Sequence, residues 1–343
     1  KATRDPFLDN AKFLLAVLVV VGHNWAILIN DMRAVKAAYI VLYSFHMPAF
    51  VLLCGYFSRS FTGRPDQIRK LVWGVLVPYL LFEAVYSALY SLVRGTPFTI
   101  TPTTPTYLCW FLVALFIWRL TAPVWRALRG PVPVAVVVSL AAGTMTIGYE
   151  LGLPRVLQFL PWFVLGLQLR PEHFRMLHRP PARPLAVLAF AAAALGAWWL
   201  AARAGIGPLL RQFSHEELDQ PLMNYLVMRL GMFAVAAVLI AAFLAWVPRN
   251  RTSFSGLGAA TMYPFLLHGL VVKTAEGYGV YDVFIRGGLA GALVLTLCAV
   301  LLALVLFSRP VRSATRWLVE PEPGRRPRVP LRRRRALEPA GER

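Results

Sequence analysis

Asp9-Asn10-Ala11-Lys12 opens an apolar run, Phe13-Leu14-Leu15-Ala16-Val17-Leu18-Val19-Val20-Val21, that closes in Gly22-His23-Asn24-Trp25. A run of this length predicts a membrane-crossing helix, because about 20 apolar residues rising 1.5 Å each cover the hydrocarbon core. Lys12 then stands at one mouth of the span, with His23 about 16 Å further in. A cation at the rim and an imidazole at membrane depth are costly placements that lipid-facing packing does not select. The pair is the expected centre of an active site.

Outward from this stretch the same pattern repeats. The 343 residues are 58% hydrophobic and only 15% charged, with a mean hydropathy of +0.58, which excludes a single soluble globule. Apolar blocks near 11–31, 39–57, 69–93, 107–124, 132–149, 155–170, 184–203, 223–247, 257–275 and 284–308 predict about ten transmembrane helices. Strand-barrel alternation is absent, so the expected fold is an all-α integral membrane bundle. The first block is too long for a signal-peptide core and lacks a small-x-small cleavage site, so it is kept as a mature span. The chain does not begin with Met, and a short preceding piece is expected.

The net charge of +20 invites a nucleic-acid reading, but the basic residues fall in alternate connections and in the C-terminal tail rather than on one soluble face. Arg59, Arg64, Arg69, Lys70, Arg126, Arg129, Arg175, Arg179, Arg183, Arg249 and Arg251 occupy one set of loops; Arg33, Lys36, Arg94 and Arg211 are the main cations of the other. The asymmetry predicts both termini in the cytoplasm. A lipid bilayer is the expected partner, and no nucleic acid is. From Arg309 the chain alternates proline with arginine, so 309–343 is expected to be a disordered Arg/Pro-rich cytoplasmic tail behind a membrane domain of 1–308. Cys54, Cys109 and Cys298 lie far apart without metal spacing, and no metal is expected. His215 and Asp219 give an H-x-x-x-D spacing in an outer loop and are assigned no chemistry.

Three histidines lie at similar predicted depth: His23, His46 before Pro48, and His268 in Tyr263-Pro264-Phe265-Leu266-Leu267-His268. An unsatisfied imidazole in hydrocarbon is expensive, so a common cavity is expected. Glu83 is the acidic residue well inside a span; it suits a carboxylate that orients a histidine, or an interhelical salt bridge. Lys12, Arg69 and Lys70 gather at one mouth, where guanidinium forks and an ammonium suit a phosphate-bearing ligand.

Asp9 to Lys12 followed by Val20-Val21-Gly22-His23 resembles the first-span signature of acyltransferase family 3 membrane proteins, an Arg or Lys, ten residues, then His. Phe45-His46-Met47-Pro48-Ala49-Phe50, Cys54-Gly55-Tyr56-Phe57, Trp110-Phe111-Leu112, Leu160-Pro161-Trp162-Phe163-Val164-Leu165-Gly166 and the Tyr263–His268 stretch resemble further stations, nearest the fucose 4-O-acetylase-like branch. The basic motif departs from the family at Gly74, where members often carry Arg. The resemblance implies an acyl-CoA-dependent O-acyltransferase, most often an acetyltransferase, with acetyl-CoA as donor and a hydroxyl of a carbohydrate, glycoconjugate or small molecule as acceptor. It implies Lys12, with Arg69 and Lys70, as donor-binding residues and His23 as the catalytic base; the buried polar pattern adds Glu83 or His46 as the group expected to orient it. Asn24, Trp110 and His268 are assigned to the acceptor. The Ala-, Arg- and Pro-rich composition fits a GC-rich bacterial genome, so the cell (plasma) membrane expected is the bacterial inner membrane. The other reading is a proton-coupled transporter or flippase of a small polar or glycan substrate, with His23, His46 and Glu83 as its relay.

Overall fold

The computed structural model describes residues 5–321, which are helical with irregular connections and contain no strand. In chain order the helices are α1 (Pro6–Trp25), α2 (Arg33–Phe57), α3 (Pro65–Leu71), α4 (Val77–Arg94), α5 (Trp110–Ala127), α6 (Pro131–Gly143), α7 (Leu153–Gln168), α8 (Pro171–Met176), α9 (Ala182–Ala201), α10 (Leu222–Trp246), α11 (Met262–Gly277), α12 (Tyr281–Arg286), α13 (Gly288–Leu306) and α14 (Arg309–Val319). A π-helical turn at Val72–Leu76 joins α3 to α4 into one rod, Pro65–Arg94.

Each of the ten expected blocks contains a helix, but six rods are long and apolar enough to cross a membrane: α1, α2, α3–α4, α9, α10 and α13. The others, α5, α6, α7 and α11, run 13 to 18 residues. Burial differs widely among the six rods themselves. The apolar window of α9 is 17% buried and that of α13 28%, whereas α1 is 67% and α2 61% buried. The helices α9, α10 and α13 form an outer layer that is apolar all round, as lipid demands. Trp118 of α5, Phe163 of α7 and Leu266 of α11 are fully enclosed, and helices surrounded by protein need not match the thickness of hydrocarbon.

The first helix also ends earlier than expected. Asp5 caps it by accepting from the Phe7 amide at 3.0 Å, and Pro6 tolerates the first turn. At the other end, the Asn24 side chain donates to the Val20 carbonyl at 2.9 Å, and the chain leaves the helix at Ala26 rather than near residue 31. His23 therefore sits in the last turn of α1. Antiparallel connectivity places Lys12, α3 and the 247–261 connection at one end of the bundle, here the basic end. The connections 26–32, 95–109, 144–152 and 202–221 lie at the far end.

Residues 309–319, expected to be unstructured, form α14. Pro310 sits in its first turn, where a missing amide costs nothing, and the next ten residues contain no proline. Leu318 and Val319 are buried while Trp317 is exposed, so a one-sided helix packs on the basic end. The rest of the expected tail, 322–343, lies outside the described residues.

The crossing of α2 and α7 is set by two glycines. A Cβ at Gly55 would lie 2.0 Å from the Phe163 carbonyl oxygen, and one at Gly166 would lie 2.0 Å from that of Leu52. Backbones meet directly there, the close approach that small residues permit in membranes. Gly166→Val is expected to force the helices apart and destabilise the protein by about 3 kcal/mol or more. A lowered Tm and loss of the monodisperse peak in detergent check this; an unchanged Tm would sink the account of this crossing.

Candidate active site

At the far end the helices enclose a chamber of about 530 Å³, walled by α1, α2, α7 and α11 and roofed by the 95–109 connection. His23, His46, Tyr107, Trp110, Arg155 and Lys273 supply much of its polar lining. Three of the predicted site residues, His23, His46 and Trp110, thus face one cavity.

His268 lies beneath it, fully buried, with Nε2 2.7 Å from His23 Nδ1 and the rings stacked at 4.9 Å. Its Nδ1 is 2.6 Å from the Pro264 carbonyl, which can only accept. With His268 neutral, the protons follow: Nδ1–H donates to Pro264, Nε2 accepts from His23 Nδ1–H, and His23 Nε2 keeps its lone pair. The carbonyl of a helix turn thereby specifies the tautomer of an imidazole on another helix. His268 positions His23 rather than touching the chamber. His46 repeats the local device, with Nδ1 2.7 Å from the Leu42 carbonyl and Tyr43 packed edge-on at 4.6 Å.

Glu83 does not reach a histidine. Its Oε1 accepts the Thr106 amide at 2.7 Å, pinning the roof connection beside Tyr107, a non-glycine residue at φ +49°. Tyr79 donates to the Pro102 carbonyl at 2.6 Å and Ser87 to Thr99 at 2.6 Å, so α4 holds this Pro/Thr-rich segment along its length. A buried carboxylate was legible in the sequence, but its use in holding a loop depends on which segment folds over it. Asn24 is likewise spent on structure: its Oδ1 accepts the Tyr281 hydroxyl at 2.8 Å and orders the α11–α13 connection.

Sequence reasoning missed Tyr107, Arg155 and Lys273. Arg155 lies over the Trp110 ring at 4.9 Å and donates from Nη1 to the Tyr149 hydroxyl at 3.0 Å. Lys273 is 4.6 Å from the Tyr107 ring and pairs with Glu276 at 2.6 Å. The available signal was a cation in each of two apolar blocks, Pro154-Arg155-Val156 and Val272-Lys273.

At the basic end Lys12 lies one face below His23, since eleven residues make close to three full turns. Its Nζ is 2.8 Å from Asp9 and 4.8 Å from the Phe57 ring centroid. Phe57, Ser58, Lys70 and Arg119 line a cleft of about 190 Å³ beside it. Arg119, on α5, donates to Ser58 at 3.2 Å and adds a cation the sequence reading did not name. Arg69 is exposed and does not line this cleft. Neighbouring Asn10 is buried and ties α1 to the 247–261 connection through Pro248, Asn250, Thr252 and Ser255.

A chamber with His23 on its floor, backed by His268, inside a bundle with six membrane-length apolar rods, defines a multi-pass membrane protein with a site for chemistry. A family model described as an acyltransferase domain (Acyl_transf_3) matches residues 5–308, nearly the whole chain. The chain belongs to acyltransferase family 3 and is a membrane enzyme of acyl transfer. Among curated proteins and among solved structures, no match is found.

Glu83→Ala leaves the Thr106 amide without its acceptor, at a cost of about 1–3 kcal/mol. Hydrogen exchange is expected to speed up in residues 103–109 while the α2–α7 crossing stays protected. Full protection of that segment in the variant would return Glu83 to a direct chemical role.

Proposed function

We propose that the protein moves an acyl group, most simply acetyl, from acyl-CoA bound at the basic end to a hydroxyl of a carbohydrate or glycoconjugate in the far-end chamber. The observation that carries this is the Pro264–His268–His23 chain of hydrogen bonds, which leaves His23 Nε2 as an acceptor at the chamber floor, above the face of α1 that carries Lys12. The CoA phosphates are placed against Lys12, Lys70 and Arg119, and the thioester-bearing arm covers the three helical turns to His23. Arg69 is a more peripheral contact.

In this reading His23 Nε2 takes the proton of the acceptor hydroxyl as its oxygen attacks the thioester carbonyl. The tetrahedral intermediate collapses with cleavage of the carbon–sulfur bond, and the proton passes from His23 to the departing CoA thiolate. His268 stabilises the imidazolium without itself being protonated, because its Nε2 lone pair faces His23 Nδ1–H. The donor enters from the cytoplasm and the acceptor from the opposite side, which accounts for a base at the far end of α1 with basic residues at the other mouth. Plasma-membrane placement with both termini cytoplasmic, and kinship with the fucose 4-O-acetylase-like branch, belong to the same proposal.

The test is thermal stability of detergent-purified protein with acetyl-CoA, CoA or an unrelated nucleotide, paired with a transfer assay. Acetyl-CoA is expected to raise Tm in wild type and in His23→Ala but not in Lys12→Ala. Transfer is expected to fall about a hundred- to ten-thousandfold in His23→Ala, and on the order of a hundredfold in His268→Leu, where the tautomer of the base is no longer specified. Absence of stabilisation by any CoA species would remove the donor and leave the transporter reading.

A further inference from the structure

The chamber holds more positive charge than the histidine chemistry requires. Glu276, the carboxylate on its wall, is already shared by Lys273 at 2.6 Å and Arg94 at 3.5 Å. Arg155 has no carboxylate partner: the ion pairs among the described residues lie elsewhere. Its Nη1 meets a tyrosine hydroxyl and its buried Nε meets nothing.

The excess continues behind the wall. Trp110, under Arg155, stacks on Phe159 at 5.5 Å, and the Phe159 ring in turn lies 5.4 Å from the Arg211 guanidinium. Arg211 is 1% exposed, stands in a left-handed conformation at φ +50°, and none of its three guanidinium nitrogens has a hydrogen-bond partner among the described residues. Burial, with the Arg229 charge nearby, lowers it to about 9. Arg229 donates to Tyr225 and to the Pro208 carbonyl and also keeps one nitrogen unpaired. A guanidinium without a counter-charge on the wall of a low-dielectric chamber is expensive unless an anion arrives to meet it. Leu209 and Leu210, adjoining Arg211, line the chamber itself.

From Arg155, which stands on the chamber wall without a carboxylate partner, we infer that the acceptor carries an anionic group, a carboxylate or a phosphate. Arg155, held over the Trp110 ring, offers that group its guanidinium nitrogens. A chamber of about 530 Å³ is within the range of small-ligand sites and suits one or two sugar rings. This rests on the acyltransferase reading for the word acceptor, whereas the preference for anions rests on the chamber alone. A carboxylate would come from an acidic sugar, and a phosphate from a sugar joined to a phosphate-bearing carrier.

The experiment compares methyl glucuronide with methyl glucoside, which differ by one carboxylate, and adds glucose phosphate as the third probe, all at matched ionic strength with the full chain in detergent. Tm and CoA release from acetyl-CoA are both read. The anionic probes are expected to stabilise wild type where the neutral one does not, and the preference between the two anions identifies the source of the charge. Arg155→Gln is expected to weaken the anion effect about thirtyfold or more, and Arg155→Lys to retain part of it. Equal stabilisation by glucuronide and glucoside, no shift with either anion at millimolar concentration, or an anion effect that survives Arg155→Gln would each overturn the inference. The wild-type comparison decides the matter should the variants not fold. Anion-selective stabilisation in a preparation that releases no CoA upholds the anion site and removes only its role in acyl transfer.

Discussion

The hydrogen bond between His23 and His268 is the interaction on which the chamber depends. An imidazole inside an apolar bundle must be satisfied from within, because no water competes for it. The 2.7 Å contact satisfies two at once, and the Pro264 carbonyl completes the series. To make it, the last turn of α1 and the second turn of α11 have to lie face to face, which in turn places the start of α2 and the 95–109 connection around them. The same bond that removes the cost of burying two histidines leaves the His23 Nε2 lone pair on the chamber side.

Around that floor the bundle separates two electrostatic environments. The basic end collects Lys12, paired with Asp9, and Lys70 and Arg119 beside Phe57. The chamber end uses arginines stacked on aromatic rings: Arg155 on Trp110, and Arg211 between Phe159 and Phe233. Guanidinium is weakly hydrated and packs flat on aromatic faces, so it can be carried into a bundle where a lone ammonium would be far more costly. Lys273, the lysine on the chamber wall, is accompanied by its carboxylate.

Much of the candidate site was legible in the chain because its residues violate the apolar pattern around them. His23, His46, His268 and Lys12 interrupt long hydrophobic runs, and a polar group in such a run has to be accounted for. Glu83 and Asn24 interrupt them too, yet the fold spends them on holding the 95–109 connection and Tyr281. A buried polar residue announces a partner without saying which. Arg155 and Lys273 stand near the ends of apolar blocks, where a cation is ordinarily read as a marker of the membrane boundary.

Composition and hydropathy by themselves determined an all-helical membrane protein, the position of its longer apolar helices and the residues worth suspecting, since all of these depend on local apolar length and its interruptions. The tertiary structure decided which apolar helices are enclosed, as α1 and α2 are, and which form the outer layer, as α9, α10 and α13 do, because hydropathy cannot distinguish burial in protein from burial in hydrocarbon. It decided that α14 packs on the basic end. It also decided which suspected residues meet, for the 245 positions between His23 and His268 are closed by packing alone, and contacts over such separations leave no periodic trace in the chain.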